Sequence, residues 1–137
     1  MKKTVVNTGE RYGRLTEDYC NFDIAKLLKE KGFRCDTLHY YYDKDGDLLF
    51  SVWGVDAGKN EFVAPTLQMA MKWLREVHNK SIEVRSQGLK STGLGWVTEI
   101  YDLKNQDEEY HNQFTQPSYE KACEAAIKYC LENLIYP

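Results

Sequence analysis

The side chains that could do chemistry are spread thinly along this sequence. The three histidines, His39, His78 and His111, read as lying in a strand, at a helix end and in a polar loop, and none has the i, i+4 spacing of a helical zinc pair. The four cysteines, Cys20, Cys35, Cys123 and Cys130, form no C-x-x-C pair. Cys123 and Cys130 sit on one helix with their Cα atoms roughly 10 Å apart at 1.5 Å rise per residue, which is beyond disulfide reach. All four are therefore expected to be reduced thiols used as small apolar fillers. There is no G-x-S-x-G elbow, and Asp107-Glu108-Glu109 reads as a solvated acidic run. No residue is assigned a catalytic or metal-binding role, no cofactor is implied, and the balance is against an enzyme.

Two local motifs resolve into turns. Asp43-Lys44-Asp45-Gly46-Asp47 opens like a calcium loop, but that loop needs glycine at its sixth position, where Leu48 stands here. Gly88-Leu89-Lys90-Ser91-Thr92-Gly93 has the letters of a phosphate loop in the wrong order, because Gly-Lys-Ser/Thr must open a helix and a strand follows here.

The aromatic residues are the anomaly: ten Tyr, three Trp and five Phe, with His39-Tyr40-Tyr41-Tyr42 consecutive. Strand alternation sends Tyr40 and Tyr42 to one face and His39 and Tyr41 to the other. On the facing strand Phe50 and Val52 point one way, Leu49 and Trp53 the other. Either helices cover both faces, or one face is an amphipathic contact surface of the kind Tyr and Trp supply. The face with His39, Tyr41 and Trp53 is the candidate partner-binding site.

The elements that must position these residues are legible from periodicity and punctuation. Asn21 to Gly32 reads as a helix with Ile24, Leu27 and Leu28 on one face and Gly32 as its stop. Thr37 to Tyr42 and Leu48 to Trp53 read as a hairpin around the Asp43–Asp47 loop. A second helix is expected from Pro65 or Thr66 to His78, with Leu67, Ala70, Met71, Leu74 and Val77 as its stripe and Asn79 as its stop. Ile82 to Arg85 and Trp96 to Leu103 form a second hairpin, and Lys104 to Pro117 is expected as an exposed loop. Ser118 caps a third helix, on which Tyr119, Ala122, Cys123, Ala126, Ile127, Cys130 and Leu134 fall at helical spacing. The order helix, hairpin, helix, hairpin, helix points to an α+β fold in which a mainly antiparallel sheet is packed by three helices. A duplicated helix-plus-hairpin unit is suggested without any matching residue pattern, and Thr4 to Asn7 is a candidate edge strand.

Length and charge set the outer limits. A chain of 137 residues fits a single domain over 1–137, with 1–20 as a polar N-terminal segment. A net charge of -3 removes the long-range attraction that phosphate backbones provide, so nucleic acid is disfavoured as a partner. The basic start Met1-Lys2-Lys3 is not followed by the apolar stretch of a secretory signal, and no segment is apolar enough for a membrane span, so the expected address is cytoplasmic.

Asp43-Lys44-Asp45-Gly46, the run from Pro65 to His78 with Lys72-Trp73-Leu74-Arg75-Glu76, Gly95-Trp96-Val97 and Ser118-Tyr119-Glu120-Lys121-Ala122 together resemble small uncharacterised proteins carried on phages and integrated elements of gut bacteria. The resemblance covers most of the chain from the second helix onward. It carries no catalytic motif and transfers no functional residue; it implies a small intracellular accessory protein that works through contacts. Three readings follow. The first is a non-enzymatic interaction module that meets a protein partner, or a second copy as a homo-oligomer, through His39, Tyr41 and Trp53. The second is a ligand-binding or catalytic pocket lined by the same aromatics, with His39 or His111 as its polar group. The third is a nucleic-acid accessory protein using Lys2, Lys3, Arg11, Arg14 and the Lys90 loop with tyrosine stacking.

Overall fold

Asn21 starts the first helix as the sequence requires: its side-chain oxygen accepts from the Ile24 amide at 2.9 Å, satisfying one of the amides a helix start leaves open. The computed structural model describes residues 16–35, 37–55, 60–89 and 93–136, with the side chains of 89, 93, 94 and 111–114 also outside the description. Two compact units emerge, Met1–Thr66 and Leu67–Pro137. The proposed edge strand at Thr4 to Asn7, the cations Lys2, Lys3, Arg11, Arg14 and Lys90, and the His111 side chain lie outside the described residues.

In the first unit, helix α1 spans Phe22–Glu30 and buries Ile24, Ala25 and Leu28. Gly32 follows at φ +91°, a left-handed conformation that stops the helix and favours glycine. Strands β1 (Tyr40–Tyr42), β2 (Leu48–Phe50) and β3 (Phe62–Val63) form an antiparallel sheet in the order β2-β1-β3. The Asp43–Asp47 loop closes the expected hairpin: the Asp43 carboxylate accepts from the amides of Asp45 and Asp47, at 2.9 and 3.0 Å, so its oxygen serves the turn. The strands are shorter than the alternation implied, because Thr37 to His39 and Ser51 to Trp53 fall outside them.

In the second unit, helix α2 spans Leu67–His78 and buries Leu67, Ala70, Met71 and Leu74. Val77, expected on that stripe, is 57% exposed. Asn79 at φ 58° ends the helix, a conformation Asn tolerates better than most residues. Strands β4 (Lys80–Leu89), β5 (Gly93–Asp102) and β6 (Asp107–Gln116) then run as an antiparallel meander in the order β4-β5-β6. Helix α3 spans Tyr119–Asn133, with Ser118 accepting from the Lys121 amide at 3.1 Å, and buries Ala122, Cys123, Ala126, Ile127, Cys130 and Leu131. Both helices pack on this sheet, whose core contribution is Val97, Thr98 and Ile100.

Among the described residues the architecture is α+β with antiparallel sheets and three helices, as expected, but the helix-hairpin order is corrected in two places. Each hairpin gains a third strand, β3 in one unit and β6 in the other, and the described residues form two sheets instead of one packed by three helices. Strand β6 replaces the loop expected from Lys104 to Pro117. Its polar residues hid it from a pattern search, yet an edge strand paired on one side and open on the other tolerates them. The two units also differ in strand order, which argues against a duplicated helix-plus-hairpin.

Candidate interaction surface and polar centre

Tyr41 sits at the middle of β1, opposite Leu49 of β2 and Val63 of β3. Directly opposed residues share a sheet face, and this one is covered. Tyr41 is 1% exposed, Leu49 is 9% exposed, and Val63 lines a cavity of about 20 Å³ with Ala25, Leu28, Lys29, Phe33 and Glu61. A space of that size holds about one water and no organic ligand. Tyr41 is thus a core residue, and its expected place in a partner-binding face with His39 and Trp53 is corrected. Alternation separates the two faces of a strand but does not say which one will be covered.

The opposite face carries a half-buried aromatic cluster. Tyr40 pairs in register with Phe50 and meets its ring at 5.1 Å, and Tyr19 packs on Tyr40 at 4.7 Å. Farther along, Phe22 of α1 contacts Tyr42 at 5.6 Å and Phe62 at 5.7 Å, with the Lys26 and Lys29 ammonium groups 4.4 and 4.9 Å from the Phe22 and Phe62 ring centres. These rings are all half-buried. The Tyr42 hydroxyl donates to the Cys20 carbonyl at 2.7 Å, anchoring the segment that brings Tyr19 into place. Tyr19, Phe22, Tyr40 and Phe50 were not among the expected site residues. The i, i+2 relation of Tyr40 and Tyr42 was the available signal for part of the set.

His39 precedes β1, so alternation does not govern it, and its ring turns to Phe50 at 5.7 Å. Its Nδ1 lies 2.8 Å from the Ser51 carbonyl, an acceptor, which places the proton on Nδ1. Ser51 then organises the turn that follows. Its carbonyl accepts from the Gly54 amide at 3.3 Å and its hydroxyl from the Trp53 amide at 3.3 Å. Within this turn Val52 is 68% exposed and Trp53 94% exposed. The structure therefore links His39 to the turn that carries Trp53 and sends Tyr41 to the other side of the sheet.

The second unit holds a polar centre that sequence reasoning missed. Lys80 at the start of β4 is ion-paired and hydrogen-bonded to Glu109 of β6, with side chains 13% and 26% exposed. Glu109 therefore does not belong to a fully solvated acidic run. Burial pulls the Lys80 ammonium downward, but the bond to Glu109 and the nearby Asp102 outweigh it and hold it above its ordinary value. Burial pushes the Cys130 thiol up to about 12, against the opposing pull of Lys80, so it is a protonated thiol at neutral pH and a poor nucleophile. None of the four cysteines is in a disulfide. On the same sheet, Glu99 accepts from Arg85 at 2.7 and 3.0 Å and from the Tyr101 hydroxyl, whose own proton is thereby held more tightly than usual.

Among the described residues no three or more His, Cys, Asp or Glu side chains are grouped to hold a metal ion, and no helix is long and apolar enough to cross a membrane. The described carboxylates with close partners are engaged by cations, hydroxyls or backbone amides, an arrangement suited to fixing structure. Comparison with family models, curated proteins and solved structures returns no match.

Proposed function

We propose that the protein is a non-enzymatic interaction module that holds a protein partner through the aromatic surface of its first unit, with Trp53 as the anchor. One observation carries the reading: a tryptophan 94% exposed on a turn whose neighbours are fixed by hydrogen bonds to Ser51 and His39. A solvent-facing indole contributes little to folding, whereas binding energy concentrates in Trp and Tyr side chains that are desolvated on contact. The half-buried rings of His39, Phe50, Tyr40 and Tyr19 form a connected cluster in the same unit, joined to the Trp53 turn through the bond of His39 to Ser51. The resemblance to small phage and integrated-element proteins supplies the setting, an accessory protein in the bacterial cytoplasm.

The test pairs association with stability. Wild-type protein and Trp53→Ala are compared by sedimentation velocity across concentration, by capture of partners from a bacterial lysate, and by denaturant melts. Loss of an anchor of about 2 kcal/mol weakens binding roughly 30-fold. The reading requires a bound species, partner or second copy, that Trp53→Ala loses while its melt is unchanged. Equal retention by both proteins, or an early-melting variant, overturns it.

A further inference from the structure

The last residue of α2 is held in an unusual way. The His78 ring meets Trp73 edge-on, with centroids 4.6 Å apart and planes at 74°, and its Nε2 is buried without a hydrogen-bond partner among the described residues. Asn79 follows in the left-handed conformation, and its carbonyl accepts from the Leu103 amide at 2.8 Å, so the chain is pinned one residue beyond the imidazole. Next comes Lys80, tied to Glu109 of β6. Among the described residues, Asp102 of β5 and the Cys130 thiol of α3 also act on that ammonium. Glu109 is thus committed to Lys80, the Asp102 carboxylate accepts from the Lys104 amide and the Asn105 side chain, and the charge that acts on His78 is a like one.

We propose that His78 is an acid-operated latch in the second unit: neutral, it keeps the last turn of α2 seated at the start of β4, and protonated, it places an unpaired cation beside Lys80 and releases that turn. Burial, and then Lys80, hold the imidazole below its ordinary value of 6.5. The carboxyl end of α2 favours a cation, but an Nε2 that faces the interior cannot use it together with water. The sign follows from linkage. The unfolded imidazole takes its proton near 6.5 and the folded one only lower, so the seated form loses stability as pH falls through that interval and is unaffected above it.

Amide hydrogen exchange on the full chain between pH 7.5 and 5.5, corrected for intrinsic rates, reads this directly. Protection of residues 75–79 should fall on the order of tenfold per unit of depression in the histidine pKa, while the amides of α3 hold. His78→Phe keeps a ring against Trp73 and removes the titration, so its protection should be independent of pH. Should that variant fail to fold, the imidazole resonances of the wild-type chain, titrated together with the Trp73 indole, give the answer. A midpoint below 6.5 with a coupled Trp73 shift supports the latch. A midpoint at or above 6.5, pH-independent exchange at 75–79, or the same pH response in His78→Phe overturns it.

Discussion

His39 and Ser51 grip each other at both ends: the Ser51 amide donates to the His39 carbonyl at 2.9 Å, and His39 Nδ1 donates to the Ser51 carbonyl at 2.8 Å. The first bond extends the pairing of β1 and β2 by one step, and the second fixes a side chain to the turn that presents Trp53. His39→Phe keeps the ring contact with Phe50 while removing the Nδ1 bond. It should cost about 1 kcal/mol in a denaturant melt. In a background with Trp73 and Trp96 changed to Phe, the fluorescence anisotropy of Trp53 should fall with it. An unchanged anisotropy would mean that the serine alone holds the turn.

Tyr41 and Trp53 should respond in opposite ways to truncation. Tyr41→Ala removes a side chain that is 1% exposed and should cost about 3 to 5 kcal/mol. Trp53→Ala, at 94% exposure, should stay within about 0.5 kcal/mol of wild type. Urea melts of the two variants check this, and a large loss for Trp53→Ala would place the indole in a packed setting.

Where sequence patterns were backed by a local mechanism, they located structure well. Asn21 and Ser118 cap α1 and α3, Asp43 organises the hairpin loop, and Asn79 ends α2, because each acts on atoms within a few residues of itself. What failed depends on distant chain. Tyr41 was legible as one face of a strand, but which face is covered is decided by packing that alternation does not encode. Strand β6 was illegible because Asp107-Glu108-Glu109 reads as solvent-loving, while its reason for being a strand is the pairing of Tyr110 with Ile100 and of Glu108 with Tyr101. The polar centre required Lys80 and Glu109 to meet across the sheet, and nothing in their spacing announces it.

Thr98 is 1% exposed and its hydroxyl oxygen has no partner among the described residues. A hydroxyl kept from water without a hydrogen bond is a standing cost, and valine fills the same space without it. Thr98→Val should raise stability by about 1 kcal/mol, measured as a higher midpoint in urea at unchanged slope. A destabilised variant would show that the hydroxyl is bonded in solution.

The Lys80–Glu109 pair should be expensive to break and cheap to replace. Glu109→Gln leaves a half-dry ammonium and should cost about 2 kcal/mol, whereas Lys80→Met with Glu109→Leu should recover most of that loss. The pH sign is also fixed. The folded-state value of Lys80 lies above its unfolded value, so the pair contributes fully below about pH 10.5 and its contribution fades as pH rises through the folded value. The gap between wild type and Glu109→Gln in melts should be smaller at pH 11 than at pH 7. A gap of the same size at both pH values would assign the effect to packing.

The unequal strand orders bear on how each unit is put together as the chain is made. In β4-β5-β6 every strand pairs with the one before it, so the meander can zip in the order of synthesis, each step closing only a short loop. The first unit cannot do this. Its hairpin of β1 and β2 forms early, but β3 must return to the far side of β1, and the bridge of Tyr19 to Thr66 with the Cys20 amide on the Pro65 carbonyl closes last. Until residue 66 has emerged from the ribosome, the aromatic face that Tyr19 helps to build stays incomplete, and a nascent chain carries its stickiest surface half assembled.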